Sequence, residues 1–402
     1  ISRHRQEITR SSAVSVLSKI LNNKEKLVPV DGLSEVPTNN LLDGALEERF
    51  VQALEKVFKV TKERVNNKPG YWVHVGDSTW ELEPQVEFDE TDGVIKTRAD
   101  FVLRPNKQSD RILENEIVIY TDGFEYHWNN ITDDLRKRLS LLRSGRKVWV
   151  FTWDDLAVDS ADKNLSMPDI LLKSVQATSP GHKIWEVFSK KNNWFSFSEV
   201  RGLLEQGSFA WLASWLRNPT GTKKELCDSA LSIAFHQLSP RPKLEAFINE
   251  SLKNTGEWCK AVLQHIPDKT EEWQVLSDNN HSGESTWQLL SYSAPNERAS
   301  FMGDDPKPAI HVVLNINDNL AENRKDGDYK DKWRSMWQAF NVLQYAPSFS
   351  AGTQTGLESG LFRDLLIENI DDFEPDELSL GLDKDWQKAC EFSDLTEEQL
   401  EA

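Results

Sequence analysis

The chain is poor in cysteine and has no long hydrophobic run. Its 402 residues include only three cysteines, Cys227, Cys259 and Cys390, and no two of them form a C-x-x-C pair. This spacing excludes a zinc knuckle and a disulfide framework, and it favours a reducing, cytoplasmic location. No apolar run approaches the roughly 18 residues of a membrane span. We therefore expect a soluble protein without a membrane partner.

The sequence also lacks an initial methionine and the apolar core of a signal peptide. It begins at Ile1, and residues 1–18 are basic and contain several serines. A secretory leader would need an apolar stretch in this region. We interpret the chain as a piece of a longer polypeptide.

An excess of positive charge is missing as well, because the formal net charge is −18. Residues 1–158 carry 23 Lys+Arg and 26 Asp+Glu, whereas residues 159–402 carry 24 and 39. Nucleic-acid affinity depends on Lys and Arg side chains that neutralise phosphates. The near balance of the first part is compatible with DNA binding, and the acidic second part is available to a protein partner or to solvent.

Composition and pattern divide the chain into three segments. Residues 1–44 are predicted to be a connector from a longer chain, residues 45–158 an α/β domain, and residues 159–402 an acidic, mainly helical domain. Within the last segment, a short strand region is predicted near 309–316.

The α/β segment has a regular order of predicted elements. A helix from Ala45 is followed by three short strands, by a hairpin whose strands end near Asp100 and Thr121, by a helix over 131–145, and by a strand from Lys147. This order predicts a mixed sheet flanked by helices.

Polar side chains gather where the hairpin strands end. Asp100 belongs to the first strand, Thr121 and Asp122 end the second, and His127 follows shortly after. Mg²⁺ prefers oxygen ligands, and phosphodiester hydrolysis needs a bound cation and groups that handle protons. The pattern indicates a metal-dependent phosphodiesterase site. The structural alternative stays open, because Asp122-Gly123 is also a common turn and a lone histidine is more often structural.

Two acids in the first helix, Glu47 and Glu48, are candidates for outer ligands or for positioning water, and Glu48 is taken as a candidate catalytic residue. A helical glutamate is more commonly a solvated surface group. The choice between these readings depends on which way the helix faces.

The hairpin and its surroundings resemble the restriction-endonuclease-like (PD-(D/E)xK) superfamily and, within it, the very-short-patch repair endonucleases. The similarity spans about residues 45–155 and is carried by residues 98–103, 119–127, 137–138 and 145–149. It implies a restriction-endonuclease-like fold and Mg²⁺-dependent cleavage of DNA.

The resemblance also implies roles for individual residues. Asp100 would bind the metal, Thr121 would offer its backbone carbonyl, Asp122 would occupy the family's His or Asp position, and His127 would match the histidine after the glycine. Most members of the superfamily carry a lysine on the second strand, and this chain has none there. Lys137 on the following helix is a candidate replacement.

A set of basic residues is predicted to form one positive edge beside this site. DNA phosphates would contact this edge, although a solvated helix face explains such a run equally well. The set consists of Arg98, Arg136, Arg138, Arg143, Arg146 and Lys147.

A second resemblance concerns the wider context. Residues 97–102, 120–127, 143–145, 149–153 and 337–347 resemble the C-terminal end of very large DEAD/DEAH-box helicases of bacterial antiphage systems, including the Druantia type. This implies that the partner is the rest of a helicase chain or a defence-system protein. No Walker A loop is present, so the helicase motifs would lie outside these residues.

Three hypotheses follow. The first is a metal-dependent DNA endonuclease, the second an inactive nuclease-fold module that holds DNA or a protein, and the third an adaptor whose acidic part docks a partner.

Overall fold

The structure, a computed structural model, describes most of the chain between residues 44 and 362. The described residues are 42, 44–107, 115–156, 193–237, 310–323, 327–346, 348–359, 361–362, single positions between 175 and 190, and the strands 272–279 and 285–293 with few side chains. Internal contacts divide the chain into residues 1–39 and 40–402, and all described residues lie in the second unit. The predicted connector, residues 1–44, lies largely outside the described residues.

A six-stranded mixed sheet forms the first part, as the sequence predicts. Strands β1 to β5 are antiparallel neighbours in chain order, and β6 is parallel to β5 because helix α3 carries the chain back across the sheet. The elements are α1 (Ala45–Val57), β1 (Lys59–Val65), β2 (Lys68–Val75), β3 (Ser78–Phe88), β4 (Thr97–Pro105), β5 (Ile117–Thr121), α2 (Phe124–His127), α3 (Ile131–Arg143) and β6 (Lys147–Phe151).

Aromatic packing fixes helix α1 on the sheet. Phe50 is fully buried, and its ring centre lies 5.2 Å from that of Phe101 on β4 and 5.5 Å from that of Phe151 on β6. Such pairs contribute about 0.5–1.5 kcal/mol beyond the area they bury. The start of α1 is thereby held near the strand ends that carry the candidate site.

Helix α3 ends as its sequence predicts. Leu135 and Leu139 are buried against the sheet, and Gly145 has a left-handed φ of 94° just past the helix end. The Gly145 N–H donates to the carbonyl of Leu142 at 3.0 Å, which satisfies one of the free carbonyls at the helix terminus. This sharp ending directs the chain into β6.

The second part contains a sheet where the sequence analysis expected mainly helices. Its elements are α4 (Phe197–Leu204), α5 (Ser208–Arg217), α6 (Pro219–Gln237), β7 (Glu272–Asn279), β8 (Ser285–Ser293), β9 (Ile310–Ile316), α7 (Gly327–Leu343), β10 (Ser348–Thr353) and α8 (Gln354–Glu358). The sheet order is β10-β9-β8-β7, with β9 and β10 parallel and the other pairs antiparallel. The stretches of β7 and β8 mix polar and apolar residues without a clear alternation, so their periodicity did not predict strands.

Two amide side chains, one near the end of α7 and one just after it, cover the free edge of β6. The Val150 N–H donates to Asn341 Oδ1 at 2.9 Å, and Asn341 Nδ2 donates to the Val150 carbonyl at 2.8 Å. Gln344 makes the same pair of bonds with Val148, at 3.0 and 2.5 Å. An edge strand with unpaired backbone groups would otherwise invite another chain, so α7 closes this edge of the first sheet.

No helix in the described part of the chain is both long and apolar enough to cross a membrane.

Candidate functional site

Asp100 is held by the end of the neighbouring strand. Its Oδ2 accepts hydrogen bonds from the backbone N–H of Thr121 at 2.6 Å and from Thr121 Oγ1 at 2.9 Å. Burial raises the pKa of Asp100, and the two hydrogen bonds from Thr121 act in the opposite direction. Asp100 Oδ1 makes no hydrogen bond to any described residue, so one carboxylate oxygen remains for a ligand.

The strand opposite Asp100 is irregular and contacts helix α1. The β3–β4 register pairs Pro84 with Phe101 and Val86 with Ala99, which places Gln85 opposite Asp100, and Gln85 has a left-handed φ of 53°. Gln85 Nε2 donates to Glu47 Oε1 at 2.9 Å. The acid of α1 that faces this region is therefore Glu47.

The sequence analysis considered both acids of α1 and chose Glu48 as the catalytic candidate, but the structure places Glu47 near Asp100 instead. Glu48 is exposed, whereas Glu47 is buried. A signal was available, since Glu47, Phe50 and Leu54 follow each other at helical spacings of three and four and so lie on the buried face.

Asp122 is buried and bound to an arginine. Its carboxylate accepts a short hydrogen bond from Arg138 Nη2, and both side chains are 1% exposed. Burial raises the pKa of Asp122 to about 6, while the charges of Arg138 and His127 oppose this rise. Asp122 is thus the partner of a buried cation and is closed to solvent.

His127 is the accessible member of the group. Its Nδ1 lies 2.9 Å from Asp134 Oδ2, its Nε2 lies 3.7 Å from Asp122 Oδ1, and the side chain is 32% exposed. Burial lowers the pKa of His127, but the hydrogen bond to Asp134 and the charges of both aspartates outweigh it, so the pKa is raised. His127 is therefore suited to carry a proton near neutral pH.

Two positions offer ligand atoms for a divalent cation, the cluster of Asp122, His127 and Asp134 and the carboxylate of Asp100, and Asp100 is the better one. One donor atom each of Asp122, His127 and Asp134 lie within 4.8 Å of one another. Arg138 already engages Asp122, however, and His127 engages Asp134, so a cation there would have to displace these partners. Asp100 keeps an unengaged oxygen and is the better ligand.

The six basic residues that were predicted to form one positive edge do not lie on one common surface. Arg138 is bound to Asp122, and Arg146 is buried with its Nε 2.6 Å from Glu116 Oε1. Phosphate cannot reach either group without breaking its ion pair. The remaining positions are dispersed: Arg98 is exposed on β4, Arg136 is partly buried on α3, Arg143 donates to β10, and Lys147 lies over the Tyr345 ring.

Lys137 does not take the place of the lysine that most members of the superfamily carry on the second strand. Its Nζ lies 2.5 Å from Asp133 Oδ2, one helical turn back, and both side chains are partly exposed. Such a surface pair contributes little to stability. Nothing in the contacts of Lys137 joins it to Asp100.

A cavity of about 730 Å³ opens beside β3 and β4. Arg104 bridges Glu83 at 2.6 Å and Glu116 at 2.7 Å within it. The other charged lining residues also carry both signs, so the cavity does not select a polyanion. They are Lys68, Glu87, Asp92, Arg98 and Arg146.

The comparisons with protein-family models, with curated proteins and with solved structures find no match to this chain.

Proposed function

We propose that residues 45–158 form a metal-dependent DNA endonuclease whose site is built on Asp100 and His127. The observation that carries the proposal is the placement of both groups at the carboxyl end of β5. There, Asp100 Oδ1 makes no hydrogen bond to a described residue, and His127 is partly exposed and has a raised pKa. The resemblance to very-short-patch repair endonucleases supports the same pair.

Asp100 Oδ1, together with the carbonyl of Thr121, would hold Mg²⁺. A bound Mg²⁺ would neutralise charge on the scissile phosphate and lower the pKa of a water. The chain's own contribution is positional, because Thr121 fixes the carboxylate of Asp100 through two hydrogen bonds. Gln85 on β3 and its hydrogen-bond partner Glu47 on α1 are candidates to orient water.

His127 supplies the proton in this proposal. A water oxygen forms the new bond to phosphorus and releases one proton to bulk water, the bond between phosphorus and the leaving oxygen breaks, and His127 gives its proton to that oxygen. Asp134 holds the ring through Nδ1 and keeps it protonated. Asp122 and Arg138 form the wall behind His127 and take no part in bond making.

The test is cleavage of supercoiled plasmid with Mg²⁺ by the full chain. Asp100→Asn is expected to reduce the rate at least 100-fold with unchanged folding, and chelation of the metal should have the same effect. The matched control is Asp77→Asn in the exposed β2–β3 turn, which should cleave like the wild type. Cleavage by Asp100→Asn at the wild-type rate would refute the proposal.

A non-catalytic module that holds DNA or a partner is the second candidate. The buried Asp122–Arg138 pair favours it, because this pair occupies the strand end where a second metal ligand is expected. It predicts no cleavage with Mg²⁺ or Mn²⁺ and salt-dependent retention of DNA.

The wider context also remains a proposal. In line with the second resemblance, we place this module at the C-terminal end of a helicase of bacterial antiphage defence. Co-purification with the remainder of that chain or with a defence-system partner would test it.

A further inference from the structure

The second sheet repeats the connectivity of the first. In both, three antiparallel strands are followed by a helix and by a strand parallel to the third. Thus β3-β4-β5-α3-β6 corresponds to β7-β8-β9-α7-β10. A helix that contacts the sheet comes earlier in the chain in both cases, α6 before β7 and α1 before β3, although β1 and β2 lie between α1 and β3.

The correspondence extends to individual positions. Counted back from the first residue of β6 or β10, two buried leucines and one partly buried leucine of α3 coincide with three fully buried apolar residues of α7. The pairs are Leu135 with Met336, Leu139 with Phe340, and Leu142 with Leu343. The sequence shows no repeat because only the apolar character of these positions is shared.

Contacts between the two sets are reciprocal. Arg143 and Gln344 each stand four residues before the strand that follows their helix. Arg143 Nη2 donates to the carbonyl of Phe349, the second residue of β10, and Gln344 Nε2 donates to that of Val148, the second residue of β6. Equivalent residues that contact each other's surface in this way are typical of a two-fold dimer.

Among the described residues of the second set, the positions that correspond to the candidate site carry other side chains. Strand register places Leu289 at the position of Asp100 and Ile316 at that of Asp122. On the helices, Ser335 replaces Asp134 and Ala339 replaces Arg138. Leu289, Ile316 and Ala339 are fully buried and apolar, so none can bind a cation or a phosphate.

We propose that residues 219–353 are a second copy of the fold that has no site and takes the place of a partner subunit. The pairing surface of the first copy is therefore occupied within the chain. If the proposed nuclease function holds, on which this inference rests, the chain has one catalytic site for its two copies of the fold. Each encounter with duplex DNA then cuts one strand.

A disulfide tests the pairing without any activity. Thr132 Oγ1 on α3 lies 2.7 Å from Thr353 Oγ1 on β10. Oxidised Thr132→Cys/Thr353→Cys should give a disulfide within one 46.1 kDa chain. Each single variant is the control for the native cysteines. A disulfide-linked dimer, or no bond between these positions, would overturn the proposal.

Plasmid cleavage tests the single site. At limiting protein, the wild type should convert supercoiled DNA to the open circle, with linear DNA only after repeated cuts. Linear DNA formed as early as the open circle would overturn the one-site inference. No cleavage at all would refute the nuclease function and leave the pairing to be decided by the disulfide.

Equivalent substitutions provide the matched control. Asp134→Ala should slow cleavage at least ten-fold, because it removes the partner of His127. Ser335→Ala, at the corresponding position of α7, should leave the rate unchanged. Equal losses in both variants would contradict a second copy without a site.

Discussion

The guanidinium carbon of Arg138 on α3 lies 4.2 Å from the centre of the Trp337 ring on α7. Helix α7, which belongs to the second part of the chain, therefore covers the buried guanidinium of the first part. The Tyr120 ring lies on Arg138 as well, at 4.7 Å. Within the described residues, Arg138 Nε and Nη1 have no hydrogen-bond partner, and the two rings lie against the guanidinium group. The second part of the chain therefore supports the region behind His127.

Trp337→Leu should destabilise the chain by about 3–5 kcal/mol, because it removes a buried aromatic side chain and a desolvated cation–π contact. Trp337→Tyr, which keeps a ring, should lose less than half of that. Urea unfolding measures both. A loss below about 1 kcal/mol for the leucine variant would show that the contact is dispensable.

Breaking the Asp122–Arg138 pair should be costly from either side. Asp122→Asn and Arg138→Met each leave a buried charge without its partner, which typically costs about 3–5 kcal/mol. The double variant should lose clearly less than the sum of the two.

The exposed Lys137–Asp133 pair is the control for this cycle and should show a coupling below about 1 kcal/mol. Additive losses at Asp122 and Arg138 would mean that the two groups do not interact.

Cleavage should depend on the proton of His127. Since His127 must be protonated to act as an acid, the rate should fall as the pH rises through its raised pKa. Asp134→Asn removes the charge and weakens the hydrogen bond that raise this pKa, so the fall should move to lower pH. Asp133→Asn should leave it in place.

The same raised pKa links His127 to stability. Protonated His127 stabilises the fold fully below its unfolded pKa of about 6.5, and this contribution is lost as the pH rises through the folded pKa. An NMR titration of the imidazole measures the pKa even in a chain that does not cleave. An unchanged His127 pKa in Asp134→Asn would exclude the proposed role of Asp134.

DNA retention should depend on Arg136 and Lys137, because both are partly exposed on α3. Arg136→Glu/Lys137→Glu should lower the slope of log affinity against log salt by about 2. Lys62→Glu on β1 is the control. Arg138 is left unchanged, since its substitution would break the buried pair. Equal salt slopes in all variants would exclude α3 as the DNA contact.

Much of the first sheet could be predicted from its sequence. The cap glycine and the leucine spacing of α3 gave its extent to within two residues, and the apolar runs of β4, β5 and β6 gave their cores. Local patterns determine these elements, so a single sequence carries the necessary information.

The buried charges were harder to predict. Arg138 stands three residues after Leu135 and four before Leu142, so it lies on the apolar stripe of α3 and not on its basic surface. A charge on such a stripe needs a partner, and that partner comes from β5 and α7. The long-range pairing of the two sheets left no local pattern in the sequence.

Metal binding to Asp100 is the most direct test of the proposed site. Titration calorimetry with Mn²⁺ should show one binding event per chain in the wild type and none in Asp100→Asn, with the control Asp77→Asn binding normally. Equal binding by the wild type and by Asp100→Asn, or no binding by either, would contradict a metal-dependent site at this position.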